Sequence, residues 1–83
     1  MSSLSLKILT PEGSPFEGPV EAVFLPGVKG RFEVLPGHAP IISALEAGSV
    51  VWRLPGGKED TLSVSGGAAM LDRNTVTVCV QVG

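Results

Sequence analysis

The sequence predicts an all-β fold, an antiparallel β-sandwich or barrel built from eight to ten short strands. The chain has 83 residues, which suits one domain, and its 11 glycines and 7 prolines leave little room for long helices. Apolar and polar residues alternate in short segments, and turn signals recur roughly every 8–12 residues, as in sandwiches and barrels. The elements follow in chain order.

The amino-terminal third contains two strand patterns and a tight connection. Leu4, Leu6 and Ile8 alternate with polar residues and predict a half-buried first strand. A turn is predicted over residues 10–15, followed by an apolar run over residues 20–25. The pair Pro26-Gly27 and then Gly30 bracket a short loop, which should present Val28 and Lys29 at its tip, with Arg31 beside them. These are the contact residues that physical reasoning favours, because a short rigid loop gives them no role in a core.

Residues 30–40 contain an unusual amount of special backbone. Phe32 and Val34 should face one side of an extended segment. The pair Pro36-Gly37 then predicts a type II turn, in which glycine takes the positive φ. Pro40 favours an extended residue before it and so starts the next strand, over residues 41–45.

The carboxy-terminal half reads as hairpins. Strands over residues 49–54 and 61–65 flank a polar loop, and Gly66-Gly67 predict a bulge or a close approach of two backbones. A strand over residues 68–71 and a turn over residues 72–74 follow. Residues 75–82 have the clearest period of two, with valine at every second position. Trp52 lies on an alternating strand and is expected in the core.

Charge and composition exclude some classes of function. The net charge is −2 and the six bases are scattered singly, so no nucleic-acid partner is expected. The mean hydropathy of +0.37 is high for so small a chain. Two explanations stay open: a valine-rich strand composition, or apolar surface that another protein covers.

Cys79 is the single cysteine, so an internal disulfide is impossible and a reducing compartment is indicated. Within its valine-rich strand we expect a buried, inert thiol. We see no signal peptide and no apolar run near the ~20 residues of a membrane-spanning helix. Any membrane association should therefore depend on a partner.

No motif indicates catalysis, a metal or a cofactor. A single histidine and a single cysteine exclude the common zinc motifs. Glu59 and Asp60 are loop neighbours typical of a solvated hairpin end. His38 has two compatible interpretations, a hydrogen bond that fixes its turn or a contact with a partner. A small hydrolase built around His38 is the least favoured hypothesis.

The motifs together resemble one family in order and spacing over nearly the whole chain. The strongest is Val34-Leu35-Pro36-Gly37-His38-Ala39-Pro40, supported by Leu25-Pro26-Gly27, Gly30, Phe32, Ser65-Gly66-Gly67 and Val76-Thr77-Val78. This pattern resembles the epsilon subunit of F-type ATP synthases, which is called delta in mitochondria.

The resemblance implies a flattened β-sandwich of about ten strands, a non-catalytic part of the central stalk that docks on the gamma subunit and the c-ring. By position, Val28, Lys29, Gly30 and Arg31 would contact the c-ring. His38, Ala39, Pro40 and Ile42 would contact gamma or shape its turn. Structural turns are expected at Pro26, Gly27, Pro36, Gly37, Gly66 and Gly67. Coupling of proton translocation to ATP synthesis or hydrolysis, at the cytoplasmic face of the bacterial inner membrane, is the implied function.

Three points qualify the resemblance. Arg31 stands where the family often has an acidic or small residue, which changes the charge offered to the ring. Glu33 stands where a glycine is frequent. The resemblance assigns residues 1–83 to the amino-terminal domain, with the carboxy-terminal helical hairpin of most members expected to be absent. The alternative is a free-standing β-sandwich that binds a ligand or peptide, although no small-molecule ligand is expected.

Overall fold

The computed structural model describes residues 3–83, so Met1 and Ser2 of the predicted domain lie outside the described residues. The all-β prediction is confirmed, and eight strands are found in the described part of the chain. They are β1 (Leu4–Thr10), β2 (Gly13–Val20), β3 (Ala22–Gly27), β4 (Gly30–Val34), β5 (Ile41–Leu45), β6 (Gly48–Arg53), β7 (Glu59–Asp72) and β8 (Thr75–Val82).

The strand count falls at the lower end of the prediction because predicted pieces merge. The strands expected on either side of Gly66-Gly67 form one long β7. The pairing of β7 with β8 shifts register between Val64 and Gly66, and Gly67 lies so near β8 that a β-carbon there would collide with the Cys79 carbonyl oxygen. The glycines therefore bend a continuous strand instead of ending it.

The strands pair in the order β2-β1-β8-β7-β5-β3-β4, and β6 pairs with both β3 and β7. The amino-terminal half of β7 pairs with β6 and its carboxy-terminal half with β5, so the two halves of this strand have different neighbours. All pairs are antiparallel except β1 and β8, which run parallel. The sequence prediction did not contain this parallel pair.

The core lies between the layers and consists of the inward residue of each alternation. The fully buried side chains include Leu4, Leu6, Ile8, Val23, Leu25, Val34, Val50, Leu71, Val76 and Val78. Trp52 is in the core as predicted, 4% exposed, with its ring centroid 5.2 Å from that of Phe16. Its indole nitrogen finds no hydrogen-bond partner among the described residues.

The prediction for Cys79 is wrong, because its thiol is exposed. Val78 and Val80 on either side of it are buried. Neighbouring residues on a strand point to opposite faces, so Cys79 must face outward, where it pairs across the ladder with Ala68. The alternation of side-chain directions along β8 therefore determines the exposure of Cys79, and the general preference of thiols for burial does not.

Candidate docking surfaces

The turn between β3 and β4 contains the first predicted contact. We call residues 27–31 the hairpin tip. Val28 and Lys29 form the turn, and Val28 is 52% exposed. Pro26 and Gly27, expected in the turn, are instead the buried last residues of β3. The turn is thus shorter than the Pro-Gly signal predicts, because Pro26 and Gly27 still belong to β3.

Main-chain hydrogen bonds fasten the hairpin tip to β5. The Val28 amide donates to the Ala44 carbonyl at 3.1 Å, and the Glu46 amide donates to the Pro26 carbonyl at 2.9 Å. Gly27 lies between these two bonds, paired with Leu45. The tip is therefore an extension of the sheet and not a free loop.

Arg31 adds a side-chain hydrogen bond between the hairpin tip and β6. Its guanidinium Nη1 donates to the Ser49 carbonyl at 2.8 Å, which lays the side chain across the start of β6. Arg31 remains exposed. A guanidinium has five N–H donors, so this one bond leaves donors for a partner.

A depression of about 560 Å³ runs beside the hairpin tip. One wall is the tip with Phe32, and the other is residues 42–44 of β5. Lys29 and Arg31 are the charged residues in this lining, and no acid is among them. The structure thus brings Ile42 next to the predicted c-ring residues, although the resemblance assigns it to gamma.

Ile42 also belongs to an exposed apolar strip on the outer face of β5 and β7. It is 81% exposed and lies directly opposite Met70, which is 48% exposed. Pro40, Ile42 and Met70 together line a second, shallow depression. We call Pro40, Ile42 and Met70 the apolar strip. The sequence prediction missed Met70, whose outward direction follows from the buried Ala69 and Leu71 on either side of it.

Residues 35–40 form the second predicted contact, here called the turn segment. The His38 amide donates to the Leu35 carbonyl at 3.2 Å, and Gly37 has a φ of +85°. With proline at the second position and positive φ at the third, the turn has the type II arrangement. All six residues are exposed.

The His38 ring makes a hydrogen bond with the main chain of its own segment. Its Nδ1 lies 2.7 Å from the Ala39 carbonyl oxygen, so a proton on Nδ1 is donated to that oxygen. This is the arrangement of a histidine that shapes a loop. A nucleophilic pair would instead require a bond from the ring to a hydroxyl or thiol.

Asn74 connects the turn segment to the body of the sandwich, and the sequence prediction missed this role. Its side-chain Oδ1 accepts a hydrogen bond from the Gly37 amide at 2.8 Å. The two residues are 37 positions apart in the chain, and no local pattern signals the contact.

No group of three or more histidine, cysteine, aspartate or glutamate side chains in residues 3–83 could hold a metal ion. Within the same range, no helix has the length and apolar character to cross a membrane.

Comparison with known proteins identifies the family. A family model described as "ATP synthase, Delta/Epsilon chain, beta-sandwich domain" matches residues 3–82. The chain belongs to this family. It is 44% identical over 78 residues to the ATP synthase epsilon chain of Wolinella succinogenes, covering 94% of this chain and 60% of the relative. It is 40% identical over 81 residues to the epsilon chain of Nitratiruptor sp., covering 98% of this chain and 63% of that relative.

Solved structures agree on the fold. A chain in the OSCP/F1/c-ring assembly of the Euglena gracilis mitochondrial ATP synthase superposes with a TM-score of 0.89 at 24% identity, covering 96% of this chain and 51% of that one. A chain of the Tetrahymena thermophila central stalk and c-ring gives 0.79 at 12% identity, with 94% and 63% covered. This delta/epsilon domain spans about three fifths of the length of the curated relatives.

Proposed function

We propose that this domain is a non-catalytic rotor element of an F-type ATP synthase, which links the gamma subunit to the c-ring. The observation that carries the proposal is the family match over residues 3–82, joined to relatives named ATP synthase epsilon chain at 40% identity and above. In this role the domain couples proton translocation to ATP synthesis or hydrolysis by transmitting rotation, and performs no chemistry of its own. The assembled complex would lie at the cytoplasmic face of the bacterial inner membrane.

The hairpin tip is the proposed contact with the c-ring, through Val28, Lys29, Gly30 and Arg31. Its attachment to β5 by main-chain hydrogen bonds suits a part that must transmit force. The two bases favour ring loops that present carboxylates or carbonyl oxygens. Because both bases are exposed, their contribution should depend on ionic strength.

The turn segment and the apolar strip are the proposed contact with gamma, through His38, Ala39, Pro40 and Ile42. Met70 joins this set because it lies directly opposite Ile42. Exposed apolar side chains beside a shaped turn give the mixture of apolar centre and polar rim that protein interfaces have. A partner on this face would also cover part of the surface that raises the mean hydropathy.

Replacing Ile42 with aspartate tests the proposed gamma contact. Ile42 is 81% exposed, so Ile42→Asp should fold normally. It should weaken binding to the cognate gamma subunit about tenfold or more, because a charge would be buried at the centre of an apolar contact. Titration calorimetry with purified gamma measures the change.

Val82→Asp is the matched control for that experiment. Val82 is 51% exposed but lines a depression with Thr10, Gly13 and Leu62. Its partner on β7 is Val64, six positions along that strand from Met70, the partner of Ile42. Its substitution should leave gamma binding unchanged. Equal affinity of wild type and Ile42→Asp would remove Ile42 from the interface, and failure of the wild type to bind gamma at micromolar concentration would overturn the rotor assignment.

A further inference from the structure

The turn segment has little of its own to hold it against the sandwich. Two of its hydrogen bonds are internal, from the His38 amide to Leu35 and between the His38 ring and Ala39. Strand pairing resumes at Ile41, opposite Leu71. Among the hydrogen bonds of the described residues, the one that ties the segment to another part of the chain runs from Gly37 to Asn74.

Asn74 is itself held in place by three strands. Arg73 and Asn74 have φ values of +51° and +61°, which is the left-handed pair of a type I′ turn joining β7 to β8. Asp72 and Thr75 pair at the base of that turn. The Asn74 carbonyl also accepts a hydrogen bond from the Ser5 amide of β1 at 2.8 Å.

The residue type fits both tasks. Asparagine tolerates the left-handed conformation better than most residues, and its side chain carries the acceptor that the Gly37 amide uses. Glycine would satisfy the turn equally well but would offer no side-chain oxygen. The backbone conformation of the turn does not require a side-chain oxygen at this position. The contact with the Gly37 amide does require one.

We propose that Asn74 is a positioning residue for partner docking: its side-chain oxygen fixes Gly37, and with it His38, Ala39 and Pro40, in the conformation that the partner recognises. This inference rests on the proposed function, in which the turn segment contacts gamma. A segment already fixed in its bound conformation loses less conformational entropy on association than a mobile one. The side chain of Asn74 therefore raises affinity without touching the partner.

Two substitutions separate the side chain from the turn. Asn74→Gly keeps the positive φ and the carbonyl that accepts from Ser5, and removes only the side-chain acceptor. Asn74→Asp keeps an oxygen in the same place and tolerates the same backbone. The pair thus distinguishes loss of the hydrogen bond from loss of the turn.

Amide hydrogen exchange, followed by NMR, gives the first measurement. In Asn74→Gly the exchange of the Gly37 amide should accelerate about 3- to 10-fold, the factor expected for one hydrogen bond. In Asn74→Asp it should stay near wild type. The Val28 amide donates to Ala44 near the carboxy-terminal end of β5, away from the turn segment. Its exchange rate should be the same in all three proteins.

Affinity for purified cognate gamma gives the second measurement. Asn74→Gly should bind about 3- to 10-fold more weakly, and Asn74→Asp should bind within twofold of wild type. Unchanged Gly37 exchange in Asn74→Gly overturns the inference, and so does faster exchange with unchanged affinity. If the wild-type protein does not bind gamma, the rotor proposal fails. If the wild type binds and Asn74→Gly binds with the same affinity, only the positioning role of Asn74 fails.

Discussion

The hairpin tip and the turn segment are both largely exposed and both predicted to contact partners, yet they are held in different ways. The tip is fastened by main-chain hydrogen bonds on either side of Gly27. The turn segment depends on the side chain of one distant residue, Asn74. Main-chain bonds survive most substitutions, while a side-chain bond is lost with its residue. The tip is thus part of the main-chain hydrogen bonding of the sheet, whereas the turn segment is joined to the sheet by a side-chain hydrogen bond.

The largest expected effect follows from the packing beneath the hairpin tip. A β-carbon on Gly27 would lie 2.8 Å from the Gly30 carbonyl oxygen and 2.9 Å from a ring carbon of Phe32. Gly27→Ala should therefore lower the free energy of unfolding by about 1–3 kcal/mol, as overpacking of a buried site does. Urea denaturation followed by tryptophan fluorescence measures it.

Gly18→Ala is the control for that substitution. A β-carbon there would meet Phe16 at 3.5 Å, an ordinary contact, so the stability should change little. If Gly27→Ala were as mild as Gly18→Ala, the tip would not be packed into the sheet, and its contrast with the turn segment would disappear.

A smaller effect is expected in the turn segment. Gly37 has a φ of +85°, but nothing lies within 4 Å of a β-carbon built there. Gly37→Ala should cost about 1 kcal/mol, from the backbone conformation alone. The same denaturation experiment compares it with Gly27→Ala. A loss as large as that of Gly27→Ala would mean that the turn segment is packed as tightly as the tip.

The smallest effect on stability, and a large one on function, is expected at Arg31. Its side chain is exposed and its strand is held by main-chain pairing, so Arg31→Glu should change the free energy of unfolding by no more than about 0.5 kcal/mol. It should nevertheless reduce ATP-driven proton pumping in membranes that carry the variant, since it reverses the charge offered to the ring.

Lys58→Glu makes the same charge reversal in the exposed loop between β6 and β7, and should leave proton pumping unchanged. Normal pumping by Arg31→Glu would remove Arg31 from the proposed c-ring contact. Equal losses in the two variants would show that net charge matters, and not the position of Arg31.

Local patterns were sufficient for most of the fold. Alternation over β1 and β8 indicated the buried face of each strand, and Leu4, Leu6, Ile8, Val76, Val78 and Val80 are buried, whereas Val82 at the end of β8 is exposed. Cys79 could have been predicted correctly from the same alternation, since Val78 and Val80 fix its direction. The error came from weighting the residue type above its position.

Contacts between distant segments were not predictable from local patterns. The continuity of β7 depends on its pairing with β6, β5 and β8, which compensates for two glycines in its middle. The bond from Gly37 to Asn74 joins two turns that each look complete on their own. In both cases the local structure depends on pairing with a distant segment. A short stretch of sequence contains only one of the two partners, so it cannot predict the contact.

The parallel pairing of the first strand with the last has a consequence for biosynthesis. Ser5 to Leu9 of β1 lie beside Thr75 to Cys79 of β8, which are synthesised 70 residues after their partners. At roughly 5–20 residues per second, several seconds pass in which β1 and β2 exist as an isolated hairpin, an arrangement of marginal stability. During that interval Leu4, Leu6 and Ile8 lack the valines of β8 that later cover them, and a chaperone could bind them. The first strand of this domain is therefore fully paired only after β8 has been synthesised.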